Sequence, residues 1–314
     1  MRPDMLFKRI GATLLAFLVG LCCMATAAYA DESIDTAKKA SLTVYFGQGG
    51  KGFSEVEFAV YKVADVSASG EYALAGDFQN YPVEWKGLDS SGWRALAQTL
   101  DAYVARDELP AWTRARTGQD GTFCITECAV GLYLVTGEPY VSGDTVYTPE
   151  PMLVALPGLA QGVWNYDVEV SCKFDQEPQK DETVSRKVQK VWKDDDNSAN
   201  KRPVQISVQL LKDGVVVDTV VLNQANNWEH TWSDLDSSAK WQVTEARVPD
   251  GYTVAVSRQG DVFIVTNTCQ GNKPPKLPQT GMLWWPVPLL ACGGLLLVGA
   301  GLMVRYKQED QNGK

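Results

Sequence analysis

Val204-Gln205-Ile206-Ser207-Val208-Gln209-Leu210-Leu211-Lys212-Asp213-Gly214 places Val204, Ile206, Val208 and Leu210 in alternation with polar residues and ends on an Asp-Gly pair. Alternate residues of a strand face the same side, so this reads as a half-buried strand running into a hairpin. Across 183–270 the same alternation returns around Lys190, Glu245 and Asn267, with turn residues at short spacing. A segment of that size with such strands is expected to be a small antiparallel sandwich of two sheets.

Upstream, 40–173 carries short apolar runs broken by Gly, Asp and Pro: 41–46, 56–63, 131–136, 151–156 and 164–172. They read as strands of a second β domain. One helix interrupts them, because Trp93, Leu96, Ala97, Leu100 and Val104 recur at helical spacing, with Asp89 or Ser90 as cap and Pro110 as limit. The acidic stretch 175–182 reads as a linker. The expected fold class is therefore all-β, with two tandem immunoglobulin-like/prealbumin-like β-sandwich domains at 31–174 and 183–270. Gly131-Leu132-Tyr133 and Gly251-Tyr252 hint that the two are related modules but are too short to establish a repeat.

The chain has 314 residues and a net charge of −9, with 45% hydrophobic content, ten Trp and twelve Tyr. It is too apolar for a disordered chain. Its acid excess sits in the middle, where a nucleic-acid binder would need a basic face, so nucleic-acid binding is excluded as an expectation.

Both ends read as addresses. Arg2, Lys8 and Arg9 precede an apolar run, and Ala28-Tyr29-Ala30 offers a small-x-small cleavage site, so 1–30 is expected to be a secretory signal peptide. Residues 282–304 hold no charge and are long enough to cross a bilayer, and Arg305 and Lys307 follow as a cytoplasmic stop in the tail 305–314. Just before this span stands Leu277-Pro278-Gln279-Thr280-Gly281, in an extended segment 271–281 that includes Lys273-Pro274-Pro275-Lys276.

Strand parity singles out three residues of the second domain. Lys190 shares a face with Val188 and Trp192, Glu245 with Val243 and Trp241, and Asn267 with Val265 and Phe263. Polar groups aimed into a core with such neighbours need one another, since an unpaired buried charge costs several kcal/mol. Burial lowers a lysine pKa and raises a glutamate pKa, which leaves a neutral amine beside a protonated acid. Such an amine can attack the carboxamide of Asn267 while Glu245 polarises its oxygen and shuttles protons, releasing ammonia. A Lys190–Asn267 isopeptide bond with Glu245 as promoter is thus expected, closing a loop of about 78 residues and stabilising by roughly 4 kcal/mol. The alternative is that Lys190 reaches the edge of the sheet and Glu245 forms a salt bridge.

The end pattern of pentapeptide, apolar span and basic tail resembles the LPxTG sorting signal of Gram-positive surface proteins. That resemblance implies cleavage by sortase between Thr280 and Gly281 and transfer of the Thr280 carboxyl to an amine of a peptidoglycan precursor or a neighbouring subunit. A plain one-pass membrane protein is the alternative. The second domain resembles the collagen-adhesin B-type (Cna B) repeat. The resemblance runs through Lys190-Val191-Trp192-Lys193-Asp194-Asp195, Arg202-Pro203, Leu210-Leu211-Lys212-Asp213-Gly214, Asn227-Trp228, Trp241-Gln242-Val243-Thr244-Glu245, Val248-Pro249-Asp250-Gly251-Tyr252 and Phe263-Ile264-Val265-Thr266-Asn267-Thr268. It implies the same three roles for Lys190, Glu245 and Asn267.

The first domain resembles the N-terminal domain of Gram-positive pilins through Val60-Tyr61-Lys62-Val63-Ala64-Asp65-Val66, Gly131-Leu132-Tyr133-Leu134-Val135, Tyr147-Thr148-Pro149 and Trp164-Asn165-Tyr166-Asp167-Val168. Its closing strand is similar to the pilin motif WxxxVxVYPK at Trp164, Val168, Val170 and Lys173, with Ser171-Cys172 in place of Tyr-Pro. This implies that Lys173 accepts the sortase-activated Thr of the next subunit; the alternative is an ordinary surface charge. No equivalent Asn-closed group is expected in the first domain.

After removal of the ends, Cys124, Cys128, Cys172 and Cys269 remain in an exported protein, so one or two disulfides are expected. If 123–128 is one straight strand, Cys124 and Cys128 stand roughly 13 Å apart and cannot pair, which favours Cys128 with Cys172. Metal and cofactors are not expected, since the one histidine, His230, lies between Trp228 and Trp232. An enzyme would have to use that histidine, and no nucleophile elbow surrounds it. The expected function is structural: an exported, cell-wall-anchored protein, either a pilin subunit or a monomeric adhesin binding a host extracellular-matrix ligand through its first domain.

Overall fold

The computed structural model describes residues 33–160, 162–178 and 183–269. The expected signal peptide, sorting signal and apolar span lie outside these residues. Among the described residues no helix is long and apolar enough to cross a membrane.

The first domain contains β1 (Ala40–Tyr45), β2 (Glu57–Val66), β3 (Tyr72–Leu74), α1 (Ser90–Arg106), β4 (Thr113–Arg116), β5 (Thr122–Cys128), β6 (Gly131–Gly137), β7 (Tyr140–Ser142), β8 (Thr145–Pro149), β9 (Met152–Leu156), β10 (Asp167–Ser171) and β11 (Phe174–Pro178). Its sheets run β10-β1-β5, β11-β8-β7 and β9-β6-β2-β3, with β4 also on β2. Alternation in β1 buries Ala40, Leu42 and Val44 against Phe46, Phe58 and Phe123. β6 is buried along its whole length, because α1 and the sheet cover it from both sides.

The second domain contains β12 (Thr183–Lys193), β13 (Gln205–Lys212), β14 (Val215–Asn223), β15 (Glu229–Asp236), β16 (Trp241–Glu245), β17 (Tyr252–Gln259) and β18 (Val262–Cys269). One sheet runs β15-β12-β18-β17 and the facing sheet runs β14-β13-β16. Asp213 and Gly214 both take positive φ, 49° and 84°, which suits the two-residue turn between β13 and β14. In both domains the first strand pairs in parallel with the last long one, β1 with β10 and β12 with β18.

Three details depart from the sequence reading. Val204 lies before β13 and is 86% exposed, so the buried alternation starts at Ile206. The strand expected over 164–172 breaks at Tyr166, whose hydroxyl accepts the Asp35 N–H at 2.8 Å. Asp175 and the residues to Pro178, expected as the start of the linker, instead pair with β8 in register Thr148↔Asp175 to Thr145↔Pro178.

The helix is placed as the periodicity predicts, with Asp89 capping it by accepting the Gly92 N–H at 2.8 Å. It is not simply an insertion in the first domain. Its buried face includes Leu96, Leu100 and Tyr103 in a core shared with Val208, Val243, Val254 and Val256 of the second domain. The two sandwiches are joined through this helix.

Candidate functional site: a buried lysine, glutamate and asparagine

β12 and β18 lie side by side, with Lys190 opposite Val265 and Trp192 opposite Asn267. Glu245 ends β16 in the facing sheet, opposite Val208 of β13. Lys190 is 5% exposed, and Glu245 and Asn267 are fully buried, so the structure brings the three residues singled out by parity into one core. Asn267 Nδ2 donates to Glu245 Oε1 at 3.3 Å, linking the two sheets. Lys190 Nζ donates to the Val191 carbonyl at 3.0 Å and lies 3.9 Å from the centre of the Trp192 ring.

Burial governs the protonation of this group. Desolvation pulls the Lys190 amine well below its ordinary value, opposed by the charges of Glu245 and Asp194. Desolvation also pushes the Glu245 carboxyl up, opposed by Lys190 and the Asn267 hydrogen bond. Glu245 Oε2 and Asn267 Oδ1 have no hydrogen-bond partner among the described residues. The arrangement can therefore supply a neutral amine, an acid able to give and take a proton, and a carboxamide buried together in one core.

Around Lys190 stands a second layer that the parity reading did not assign. Trp192 meets Trp228 and Tyr252 edge-on, each at 5.3 Å between ring centres. Asp194 is buried and takes a two-pronged contact from Arg202, at 3.0 and 2.6 Å, and a hydrogen bond from the Tyr252 hydroxyl at 3.0 Å. The Arg202 guanidinium holds the Asp194 carboxyl down at about 2. These residues lie in the quoted motifs, but only their meeting in space gives them a role.

Lys173 is exposed between β10 and β11, and its carbonyl accepts the Glu150 N–H at 2.8 Å. It lines a cleft between the domains together with Trp93, Arg94 and Lys193. The expected Cys128–Cys172 disulfide is corrected: both are free thiols. Cys128 pairs with Ala40 at the start of β1, whereas the Cys172 N–H bonds Tyr45 at its end. That separates them by about 17 Å along the strand, far beyond disulfide reach. Burial pushes the Cys172 thiol up to about 12. His230 packs edge-on against Trp232 at 5.0 Å. Among the described residues no cluster of His, Cys, Asp and Glu is arranged to hold a metal.

Residues 186–268 match the family model of the Cna protein B-type domain. That match spans about a quarter of the chain. Among curated proteins, the collagen adhesin of Staphylococcus aureus is 28% identical over 286 residues, a match covering 73% of this chain and 23% of that protein. The chain therefore spans less than a quarter of the length of that relative.

Similar solved structures include a single B repeat unit of the collagen-binding surface protein of Staphylococcus aureus. It is 20% identical, with 74% of this chain and 98% of that one covered at a TM-score of 0.27. The full-length major pilin SpaD from Corynebacterium diphtheriae is 16% identical, with 76% and 66% covered at a TM-score of 0.29.

Proposed function

We propose that this chain is a sortase-anchored structural protein of the bacterial surface, used as a pilin subunit, whose second domain is hardened by an amide bond between Lys190 and Asn267. The joint burial of Lys190, Glu245 and Asn267 is the observation that carries this reading. Lys190 Nζ forms a bond to Asn267 Cγ and the bond from Cγ to Nδ2 breaks. The proton given up by Nζ passes through the Glu245 carboxyl to Nδ2, which leaves as ammonia. The bond would join β12 directly to β18, so that force applied at the domain ends cannot unzip them. Thr280 within Leu277-Pro278-Gln279-Thr280-Gly281 would be the point of attachment, and Lys173, exposed at the end of the first domain, the acceptor for the next subunit.

A second reading is a monomeric wall-anchored adhesin that binds a matrix ligand through its first domain. The similarity to a collagen adhesin over 73% of the chain favours it. An immunoblot of muramidase-released wall extract, boiled in SDS with reductant, separates the two. A ladder in wild type that collapses to one band in Lys173→Ala supports the pilin; a single wall-linked band in both supports the adhesin.

A further inference from the structure

The first domain closes the edge of the sandwich next to the buried cluster. β17 is an edge strand, and its three successive outward N–H groups are all capped from the first domain. Val254 donates to the Pro82 carbonyl at 2.9 Å, Val256 to Thr99 Oγ1 at 2.7 Å and Arg258 to Gln98 Oε1 at 3.1 Å. The facing sheet also ends at an edge, β16, and Asp101 of α1 takes hydrogen bonds there from Gln242 Nε2 at 2.7 Å and Lys240 Nζ at 3.2 Å. Edge strands left bare present unpaired backbone groups; here Pro82, Gln98 and Thr99 cap those of β17, and Asp101 covers β16 through side chains.

At the end of β16 the contact reaches the cluster itself. Glu245 is the last residue of that strand, and its outward carbonyl accepts a hydrogen bond from Arg106 Nη1, the last residue of α1, at 3.2 Å. Arg106 is held in place from two sides. Its guanidinium lies 4.6 Å from the centre of the Tyr103 ring and is paired with Asp107. Tyr103 is fully buried and stacks on Tyr81 at 4.5 Å. Just beyond it the Ala246 N–H bonds the Ser207 carbonyl at 2.9 Å, and Arg106 adds a second hold, on the backbone that carries the carboxyl meeting Asn267.

We infer that Arg106 of the first domain is a positioning residue for amide formation in the second, so that docking of the two domains speeds the crosslink. The inference rests on the Lys190–Asn267 reading above. It ties crosslinking to assembly: the second domain is locked fastest in chains whose first domain is folded against it.

The test is a time course on the full chain made by cell-free synthesis, digested at intervals, with the fraction of joined Lys190–Asn267 peptide read by mass spectrometry. Arg106→Met keeps the stem over Tyr103 but has no donor, and it should slow joining about tenfold, the worth of one charge-assisted hydrogen bond. Arg106→Lys restores a donor and should recover most of the rate. Equal rates in wild type and Arg106→Met overturn the inference, as does an Arg106→Lys variant as slow as Arg106→Met. Absence of a joined peptide in wild type overturns the amide reading itself, and this inference with it.

Discussion

Asn267 on β18 donates from Nδ2 to Glu245 Oε1 on β16, a hydrogen bond of 3.3 Å between residues of facing sheets, both fully buried. Lys190 enters the same core from the strand beside Asn267, two residues back in register. If the three react, the wild-type domain is lighter by one ammonia, whereas Glu245→Ala and Asn267→Ala keep their calculated masses. The variants should also be less stable by roughly 4 kcal/mol in denaturant unfolding, because a loop of about 78 residues is no longer closed. Intact mass checks the first outcome, and a wild-type mass equal to that calculated would remove the crosslink.

The rate of crosslinking should depend on pH in a narrow bell. Reaction needs a neutral Lys190 and a protonated Glu245, and burial shifts the two towards each other, the amine down from 10.5 and the acid up from 4.5. On the acid side the rate falls as Lys190 gains a proton, and on the alkaline side as Glu245 loses one. Groups at their ordinary values would instead give a plateau between about pH 5 and 9. Joined peptide measured across that range tells the two apart.

Asp194 should make the second domain sensitive to acid. Its carboxyl is held down at about 2, chiefly by the hydrogen bonds from Arg202, so the charged form belongs to the folded state. Its contribution is fully present above the ordinary aspartate value of about 3.9 and is lost as pH falls towards 2. Asp194→Asn should cost on the order of 2 kcal/mol at neutral pH and much less near pH 2. Urea unfolding of both forms at the two pH values reads the difference.

Asp101 should bind the two domains into one cooperative unit. It is 5% exposed in α1 and takes hydrogen bonds from Gln242 and Lys240 of the second domain. Asp101→Ala leaves a buried amide and an ammonium without their acceptor, a loss of about 3 kcal/mol. Calorimetry should then show the single transition of the wild type separating into two. A single transition at an unchanged Tm would show that the apolar packing of α1 alone holds the domains together.

Much of this was legible in the residues. The parity of Lys190, Glu245 and Asn267 among large apolar neighbours places them inside, and the structure buries all three. The 93–104 periodicity and Asp89 likewise locate α1 and its cap. Parity did not extend to β16, where Gln242 and Thr244, on the face opposite Glu245, are buried as well. Alternation assumes that one face meets water, and here α1 of the other domain covers it. The Cys128–Cys172 pairing failed for a related reason. Proximity across a sheet depends on strand order, and β1 runs between the two cysteines with each at a different end of it.

Local periods could be read from the residues: which ones alternate, where the helix starts, which turns close, and which three polar groups must face inward. Those follow from backbone geometry and the cost of burying polar atoms, which act within a few residues. It took the packed fold to show that Arg106 of one domain holds the carbonyl of Glu245 in the other, that Asp194, Arg202 and Tyr252 meet beside Lys190, and that the cysteines stand apart. Such contacts join residues far apart in the chain, and their partners are set by how sheets and helix pack, which no short stretch of residues encodes.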